Sequence, residues 1–167
     1  MKGFTLIELL VVIVILAVLS AIVMLILNPL ELAARNRDAA RLADLANIRD
    51  AININLQESS NSGTNILCYN TTTPCTARSD ATSSNIRLPN GAGWVKVDIS
   101  GNKSFKFAVL PTDPLNTSAY HYTYYSDGVS WEINASLESN QFKNKTANDG
   151  GDNNDTYEVG TKFNLVP

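Results

Sequence analysis

The most unusual chemical group in the sequence is the carboxylate of Glu8, which stands at the start of a long apolar run. From Leu9 to Leu27 the run contains a single polar side chain, that of Ser20. A charged side chain inside a bilayer costs about 2.5–3.5 kcal/mol on insertion scales, so such residues usually have a partner or a function. Glu8 is therefore the first candidate functional residue.

The two cysteines, Cys68 and Cys75, form the second candidate group. They enclose a short polar stretch, and the single histidine, His121, is far away in sequence, so a zinc site lacks ligands. A disulfide closing this loop would stabilise the fold by about 2.5 kcal/mol on the chain-entropy estimate. The alternative is a pair of independent thiols. A disulfide would place this part of the chain in an oxidising compartment.

The element that carries Glu8 is the apolar run from Phe4 to Leu27. As a helix it would be about 36 Å long, enough to cross a hydrocarbon core of about 30 Å. A cleaved secretory signal is disfavoured, because no basic region of useful length precedes the run and no Ala-x-Ala site follows it. We therefore expect the run to be retained as a membrane-spanning helix.

Charge predicts the orientation of this helix and limits the partners of the chain. Lys2 and the α-amine precede the run, whereas acidic residues slightly outnumber basic ones in the segment after it, so we expect the N-terminus in the cytoplasm. The formal net charge of the 167 residues is −3, and no basic patch indicates nucleic-acid binding. The length allows one domain plus an appendage.

A second helix, apolar on one face only, is predicted after Pro29, where a kink or local break is expected because proline disrupts a continuous helix. The apolar stripe has helical spacing and consists of Leu45, Ile48, Ile52 and Leu56. Three ion pairs are expected on its outer face: Glu31–Arg35, Asp38–Arg41 and Arg41–Asp44. The apolar stripe must pack against the rest of the chain.

Strand patterns appear in the second half of the sequence. Alternation predicts strands over Trp94–Ile99 and Ser104–Leu110, and a hairpin on either side of Asp127-Gly128. One face of the hairpin is predicted to comprise Val129, Trp131, Ile133, Ala135 and Leu137. The expected fold class is α+β, with a long N-terminal helix packed by its second half on an antiparallel sheet of three or four strands.

The first residues also resemble a known family. Gly3-Phe4-Thr5-Leu6-Ile7-Glu8, with Lys2 before them and a long apolar helix after, is similar to the class III signal of type IV pilins and of type II secretion pseudopilins. The resemblance implies cleavage between Gly3 and Phe4 by a prepilin peptidase and methylation of the new Phe4 amine. It also implies a pilin-like fold, in agreement with the pattern above.

The resemblance implies an organisation as well. Residues 1–3 would be the leader, 4–27 the transmembrane and filament-core half-helix, 28–58 the amphipathic half-helix and 59–167 a β-rich head. The chain would sit in the inner membrane and then join a homo-oligomeric filament through an assembly platform. Glu8 would pair with the cationic N-terminus of an adjacent subunit. The alternative is that Glu8 only lies at the membrane interface.

A weaker resemblance concerns the head. Leu110–Asn116 is similar to the Pro-x-Asp-Pro segment of the major pseudopilin of type II secretion, a family in which an acidic loop near the C-terminus binds calcium. The counterpart here implies Asp149, Asp152 and Asp155 as calcium ligands, which suits the oxygen preference of this cation. The alternative is a solvated Asp/Asn turn.

Three classes of function remain to be weighed. A filament subunit, either of a type IV pilus or of a secretion pseudopilus, agrees with every feature above. A membrane-anchored binding module would need an aromatic surface on the sheet, although such residues more often pack in a core. Its candidates are Trp94, His121, Tyr122, Tyr124, Tyr125 and Trp131. An enzyme is disfavoured, because no catalytic motif or phosphate-binding loop is recognisable.

Overall fold

The chain folds, in the computed structural model, into two long helices followed by a small sheet. The structure describes residues 3–59, 65–80, 86–104 and 107–166. The elements are α1 (Leu6–Leu27), α2 (Pro29–Glu58), β1 (Cys75–Arg78), β2 (Tyr122–Ser126), β3 (Trp131–Ser136), α3 (Asn140–Lys143) and β4 (Thr156–Gly160). The predicted α+β fold class, with a long apolar helix ahead of a small antiparallel sheet, is confirmed.

The helical region is broken between α1 and α2 at Asn28. This residue adopts the left-handed conformation, with φ 36° and ψ 81°, and its side-chain oxygen accepts a hydrogen bond of 3.3 Å from the Glu31 N–H. Pro29 is the first residue of α2, where its missing N–H removes no helical hydrogen bond. The predicted break is confirmed, and it lies one residue before the proline.

One face of α2 packs on the sheet, as predicted. Leu45, Ile48 and Ile52 are fully buried, and Leu56 packs at the margin of the same core. The core also contains side chains from the sheet and from the segment between β1 and β2. Burying this stripe is what attaches the helical region to the head.

The prediction of three ion pairs on the outer face of α2 is only partly right. Arg35 and Glu31 pair at 3.1 Å on the surface. The Asp38–Arg41 pair exists but is fully buried, because Arg41 also binds acidic groups of the head. The prediction of an Arg41–Asp44 pair is wrong. Asp44 instead accepts a hydrogen bond of 2.9 Å from the Tyr122 hydroxyl.

The sheet has four strands in the order β1-β2-β3-β4, all antiparallel. The hairpin on either side of Asp127-Gly128 is confirmed, with Tyr122 opposite Ala135 and Ser126 opposite Trp131. Four of the five residues predicted for its inner face are buried, namely Trp131, Ile133, Ala135 and Leu137. The prediction that Val129 belongs to this face is wrong. Val129 is 87% exposed because it lies in the turn before β3 begins.

Two of the predicted strands are wrong. Trp94–Ile99 forms one isolated bridge, Asn90 with Asp98, and the described residues of Ser104–Leu110 form no strand; residues 105 and 106 lie outside the described part. The Trp94 N–H donates to the Ile86 carbonyl at 2.8 Å, so this backbone bonds to a neighbouring loop. β1 and β4, which the sequence did not predict, complete the sheet.

Candidate processing and assembly site

The bond between Gly3 and Phe4 lies ahead of α1, outside any helix or strand. The first helical residue is Leu6, and Phe4 is 85% exposed. Among the described residues other than its chain neighbours, no heavy atom lies within 4 Å of a Cβ placed on Gly3. The predicted cleavage bond is therefore outside the helix and open to an enzyme.

Thr5 and Glu8 form a reciprocal cap at the start of α1. The Glu8 N–H donates to the Thr5 hydroxyl oxygen at 3.3 Å, and Glu8 Oε2 accepts from the Thr5 N–H and hydroxyl at 2.8 Å each. This capping box satisfies backbone donors that a helix start leaves unpaired. A carboxylate in the first turn also interacts favourably with the helix dipole.

Cutting the predicted bond between Gly3 and Phe4 would leave this cap in place. Its donors belong to Thr5, and the Phe4–Thr5 amide is not the bond that is cut. From residue 3 onward, within the described residues, Glu8 has no basic partner. Its carboxylate is thus held at the helix start, about one turn from the predicted cleavage bond.

The helix that carries this site is apolar on every side. Leu6–Met24 is long and apolar enough to cross a membrane by length and composition, with none of its window buried, and it is the one such helix among the described residues. The consecutive side chains Leu10, Val11 and Val12, which point to different faces of this span, are each about half exposed. No part of the chain that the structure describes covers this surface.

A buried ionic cluster joins α2 to the head. Arg41 donates from Nε and Nη2 to the Asp113 carboxylate at 2.6 and 2.9 Å, and from Nη1 to Asp38 at 2.8 Å. Glu138 lies 2.5 Å from the same Nη1 atom. The side chains of Arg41, Asp38 and Asp113 are fully buried, so helix and head are connected through a desolvated charge network.

The acidic members of this cluster are held ionised. Burial alone would raise the pKa of Asp38, but hydrogen bonds from Ser139, from the Glu138 N–H and from Arg41 outweigh it and lower the pKa. Burial likewise opposes ionisation of Asp113, and the Arg41 guanidinium reverses the effect, so that its pKa is also lowered. Hydrogen bonds from Arg37 and Arg41 lower the pKa of Glu138.

Sequence reasoning missed this cluster, although one signal pointed to it. Arg41 lies four residues before Leu45 and therefore on the same helix face as the buried apolar stripe. An arginine at that position must be neutralised inside the protein. Its main partner, Asp113, belongs to the Pro-x-Asp-Pro segment that had been noted only for its family resemblance.

The disulfide between Cys68 and Cys75 is confirmed, and none of the cysteines is free. The Cα atoms are 5.7 Å apart, and both residues are buried. The bond joins the short 3-10 turn Ile66–Cys68 to the first residue of β1. It therefore attaches the edge strand of the sheet to the chain that follows α2.

The acidic loop is ordered by backbone donors. Asp149 accepts hydrogen bonds from the Gly151 N–H (2.9 Å) and the Glu158 N–H (2.8 Å), and the Asp155 N–H donates to the Asn153 side chain at 3.0 Å. Within the described ranges no group of three His, Cys, Asp or Glu residues is placed to hold a metal ion. The structure does not bring Asp149, Asp152 and Asp155 together, and calcium binding stays a prediction.

Most of the aromatic residues considered as a binding surface belong to the core. Trp94, Tyr122, Tyr124 and Trp131 are buried, and the Trp94 and Tyr122 rings lie 5.6 Å apart. His121 is half-buried, with Nδ1 3.1 Å from the Arg78 guanidinium and 3.2 Å from the Thr117 carbonyl. Packing, rather than an exposed platform, explains these residues.

Comparison with known proteins identifies the N-terminal site. Residues 1–24 match the family model described as "Prokaryotic N-terminal methylation motif". This is the cleavage and methylation motif of type IV pilins and pseudopilins, and it supports a protein of that kind. No curated protein and no solved structure matches the chain. The motif and the apolar helix fit an inner-membrane-anchored prepilin that assembles into a surface or periplasmic filament.

Proposed function

We propose that the chain is a structural filament subunit, cut between Gly3 and Phe4, methylated on Phe4 and polymerised through α1 into a type IV pilus. The observation that carries the proposal is the uncovered apolar helix behind a cleavage and methylation motif. Such a pilus serves adhesion, motility or DNA uptake. Its partners are further copies of the chain, a prepilin peptidase and an inner-membrane assembly platform.

The apolar surface of α1 needs two different environments in this cycle. Before assembly the helix spans the inner membrane, with the N-terminus in the cytoplasm, and lipid covers it. After assembly neighbouring α1 helices cover it in the filament core. The head, tied to α2 by the Arg41 cluster, forms the outside.

Glu8 gives this assembly its register. In a filament core a lone carboxylate is buried without compensation, which costs several kcal/mol. The Phe4 amine that cleavage creates carries the opposite charge. Pairing Glu8 with the Phe4 amine of an adjacent subunit removes the cost, whereas a shifted register leaves both groups unpaired.

Two variants separate this role of Glu8 from its role in the helix cap. Glu8→Gln keeps the side-chain shape and an acceptor oxygen but removes the charge. Thr5→Val keeps the Glu8 charge but removes the hydroxyl of the capping box. Both are expressed in a host with a prepilin peptidase and assembly platform, and filament yield is compared with the amount of processed chain in the membrane.

We expect Glu8→Gln to insert normally yet lose at least about tenfold in filament yield, because a buried partner charge is left unpaired. Thr5→Val should assemble to near the wild-type level. Normal filaments from Glu8→Gln would refute the pairing. Equal defects in the two variants would show that the helix cap, and not an intersubunit contact, explains Glu8.

A periplasmic pseudopilus of a type II secretion system is the second candidate. It is favoured by the Pro111–Pro114 segment, in which Asp113 is the main partner of Arg41. Deleting the gene distinguishes the two candidates. Loss of long surface fibres supports the pilus, whereas retention of exported proteins inside the periplasm supports the pseudopilus.

A further inference from the structure

A cavity of about 260 Å³ lies beside β1, the edge strand of the sheet. Its walls come from the end of β1 and from the segment between residues 86 and 96. Two of the described lining side chains are cationic, and none is acidic. The side chains that matter for its chemistry are those of Arg78, Ile86, Ala92, Trp94 and Lys96. The cavity therefore combines positive charge with apolar walls.

Lys96 is the charge without a partner in this cavity. It lies between Val95 and Val97, both 0% exposed, and its carbonyl accepts a hydrogen bond of 2.8 Å from the Tyr69 N–H. Within the described ranges its ammonium forms no ion pair, and residues 81–85, outside those ranges, contain no acidic side chain. Burial lowers the pKa of Lys96, because no ion pair offsets the partial loss of water. A bound anion would remove this cost.

Arg78 supplies the second cation and is fixed at one end. Its Nη2 atom lies 3.1 Å from His121 Nδ1, 3.3 Å from the Ser118 carbonyl oxygen and 3.3 Å from the Asp80 carboxylate. In the described part of the chain, its Nε and Nη1 atoms have no acceptor. Because Asp80 already shares the Arg78 charge, the net charge left in the cavity is close to that of Lys96 alone.

The walls of the cavity are held in place before any ligand binds. The Trp94 backbone N–H donates to the Ile86 carbonyl at 2.8 Å, and the indole N–H donates to the Pro111 carbonyl at 2.9 Å. The indole donor is thus satisfied within the protein. A Cβ on Gly93 would collide with the Leu88 carbonyl oxygen, so this segment is closely packed. Fixed walls reduce the entropy that binding must cost.

We propose that this cavity binds a compact organic carboxylate, that is, one negative charge on a small hydrocarbon body. The carboxylate binds between the Lys96 ammonium and the free side of the Arg78 guanidinium, both of which prefer such an acceptor. The hydrocarbon body contacts the apolar walls. Phosphate fits less well, because Asp80 reduces the charge available to a dianion. The proposal does not depend on filament assembly, because every group in it belongs to one chain.

Amide chemical shifts of the full chain test this site. The ¹⁵N-labelled protein in non-ionic detergent micelles is titrated at constant ionic strength with isobutyrate, with the uncharged analogue isobutyramide and with inorganic phosphate. We expect isobutyrate to give saturable shifts at residues 77, 78 and 92–96, with a dissociation constant below about 10 mM. Isobutyramide and phosphate should bind at least about tenfold more weakly.

Three variants distinguish a cavity from a general effect of surface charge. Lys96→Met keeps the apolar stem but removes the charge, and should weaken isobutyrate binding at least about tenfold. Ala92→Phe keeps both cations but fills the cavity, and should weaken binding by a similar factor. Lys103→Met, the same change at an exposed lysine outside the cavity, should bind isobutyrate as the wild type does.

Four results would overturn the proposal: no saturable shift in the wild type, equal affinity for isobutyramide and isobutyrate, or unchanged affinity in Lys96→Met or in Ala92→Phe. Phosphate binding as tight as that of isobutyrate would also refute it, since the cavity would then not select a carboxylate. If one of the two cavity variants does not fold, the other variant and the three wild-type titrations still decide the question.

Discussion

Glu8 and Arg41 are charged residues in apolar surroundings, and their charges are compensated in different ways. Arg41 is neutralised within the chain, by three carboxylates that surround its guanidinium. Glu8 has only the Thr5 cap among the described residues, and its charge is left without an opposite one. The first arrangement is complete in one molecule, whereas the second is completed by a neighbour in the proposed filament.

Arg41→Leu should destabilise the head strongly. Removing the guanidinium leaves Asp38 and Asp113 as uncompensated buried charges, and breaking such a network costs about 3–5 kcal/mol. Arg49→Leu is the matched control, because Arg49 pairs with Asp50 on the surface and such pairs contribute about 0–1 kcal/mol. The free energy of unfolding is measured with urea in detergent micelles. Equal losses for the two variants would contradict the role given to Arg41.

At the scale of elements, the break at Asn28 separates two helices with different tasks. α1 has no buried face in the protein, whereas α2 buries a stripe against the sheet. Asn28 ends α1 through its left-handed backbone and caps α2 with its side chain. Because the residue is left-handed, the two helices are not one continuous rod.

Asn28→Ala and Asn28→Gly should differ in effect. Alanine loses the cap on Glu31 and is strained at φ 36°, for a combined loss of about 2 kcal/mol. Glycine tolerates this backbone conformation, and replacing a cap residue by glycine costs only a few tenths of a kcal/mol. Thermal unfolding followed by circular dichroism measures the difference. Identical midpoints for the two variants would show that the left-handed break does not contribute to stability.

The strands illustrate where sequence patterns fail. Alternation identified β2 and β3, which flank a tight turn, although only β2 alternates in burial and β3 is buried on both faces. The same alternation over Trp94–Ile99 predicted a strand that does not exist. Apolar side chains of this segment are buried, but its backbone hydrogen-bonds to loops and not to a neighbouring strand. β1 is a short edge strand whose position depends on the disulfide, and β4 is polar on its outer face. Those determinants are long-range contacts that local periodicity does not contain.

At the scale of the whole molecule, two sets of buried acids give stability opposite dependences on pH. Asp38, Asp113 and Glu138 have lowered pKa values, so their contribution is present above the unfolded values near 4 and is lost as pH falls. Glu158 has a raised pKa, so its contribution is lost as pH rises from about 4.5 to about 7. Stability should therefore be greatest near pH 4.5. Urea titrations across pH 3 to 8 measure the profile, and a monotonic rise to pH 8 would contradict it.

The candidate site was predictable from the sequence to the extent that it is local. Gly3, Phe4 and Glu8 lie within one short motif, and the cysteines enclose a short loop. The Arg41 cluster joins residues about seventy and one hundred positions apart in the chain. Such groupings exist only after the sheet has packed on α2.

The central claim is that Glu8 pairs with the Phe4 amine of another copy. Zero-length carbodiimide cross-linking of filaments assembled from a mixture of ¹⁴N- and ¹⁵N-labelled chains tests it directly, because an activated carboxylate is captured only by an amine in contact with it, the methylated Phe4 amine included. Mass spectrometry of the digested product should identify a Phe4–Glu8 peptide that combines both labels, absent from the Glu8→Gln variant. Only singly labelled Phe4–Glu8 peptides, or none in cells that contain assembled filaments, would contradict the account.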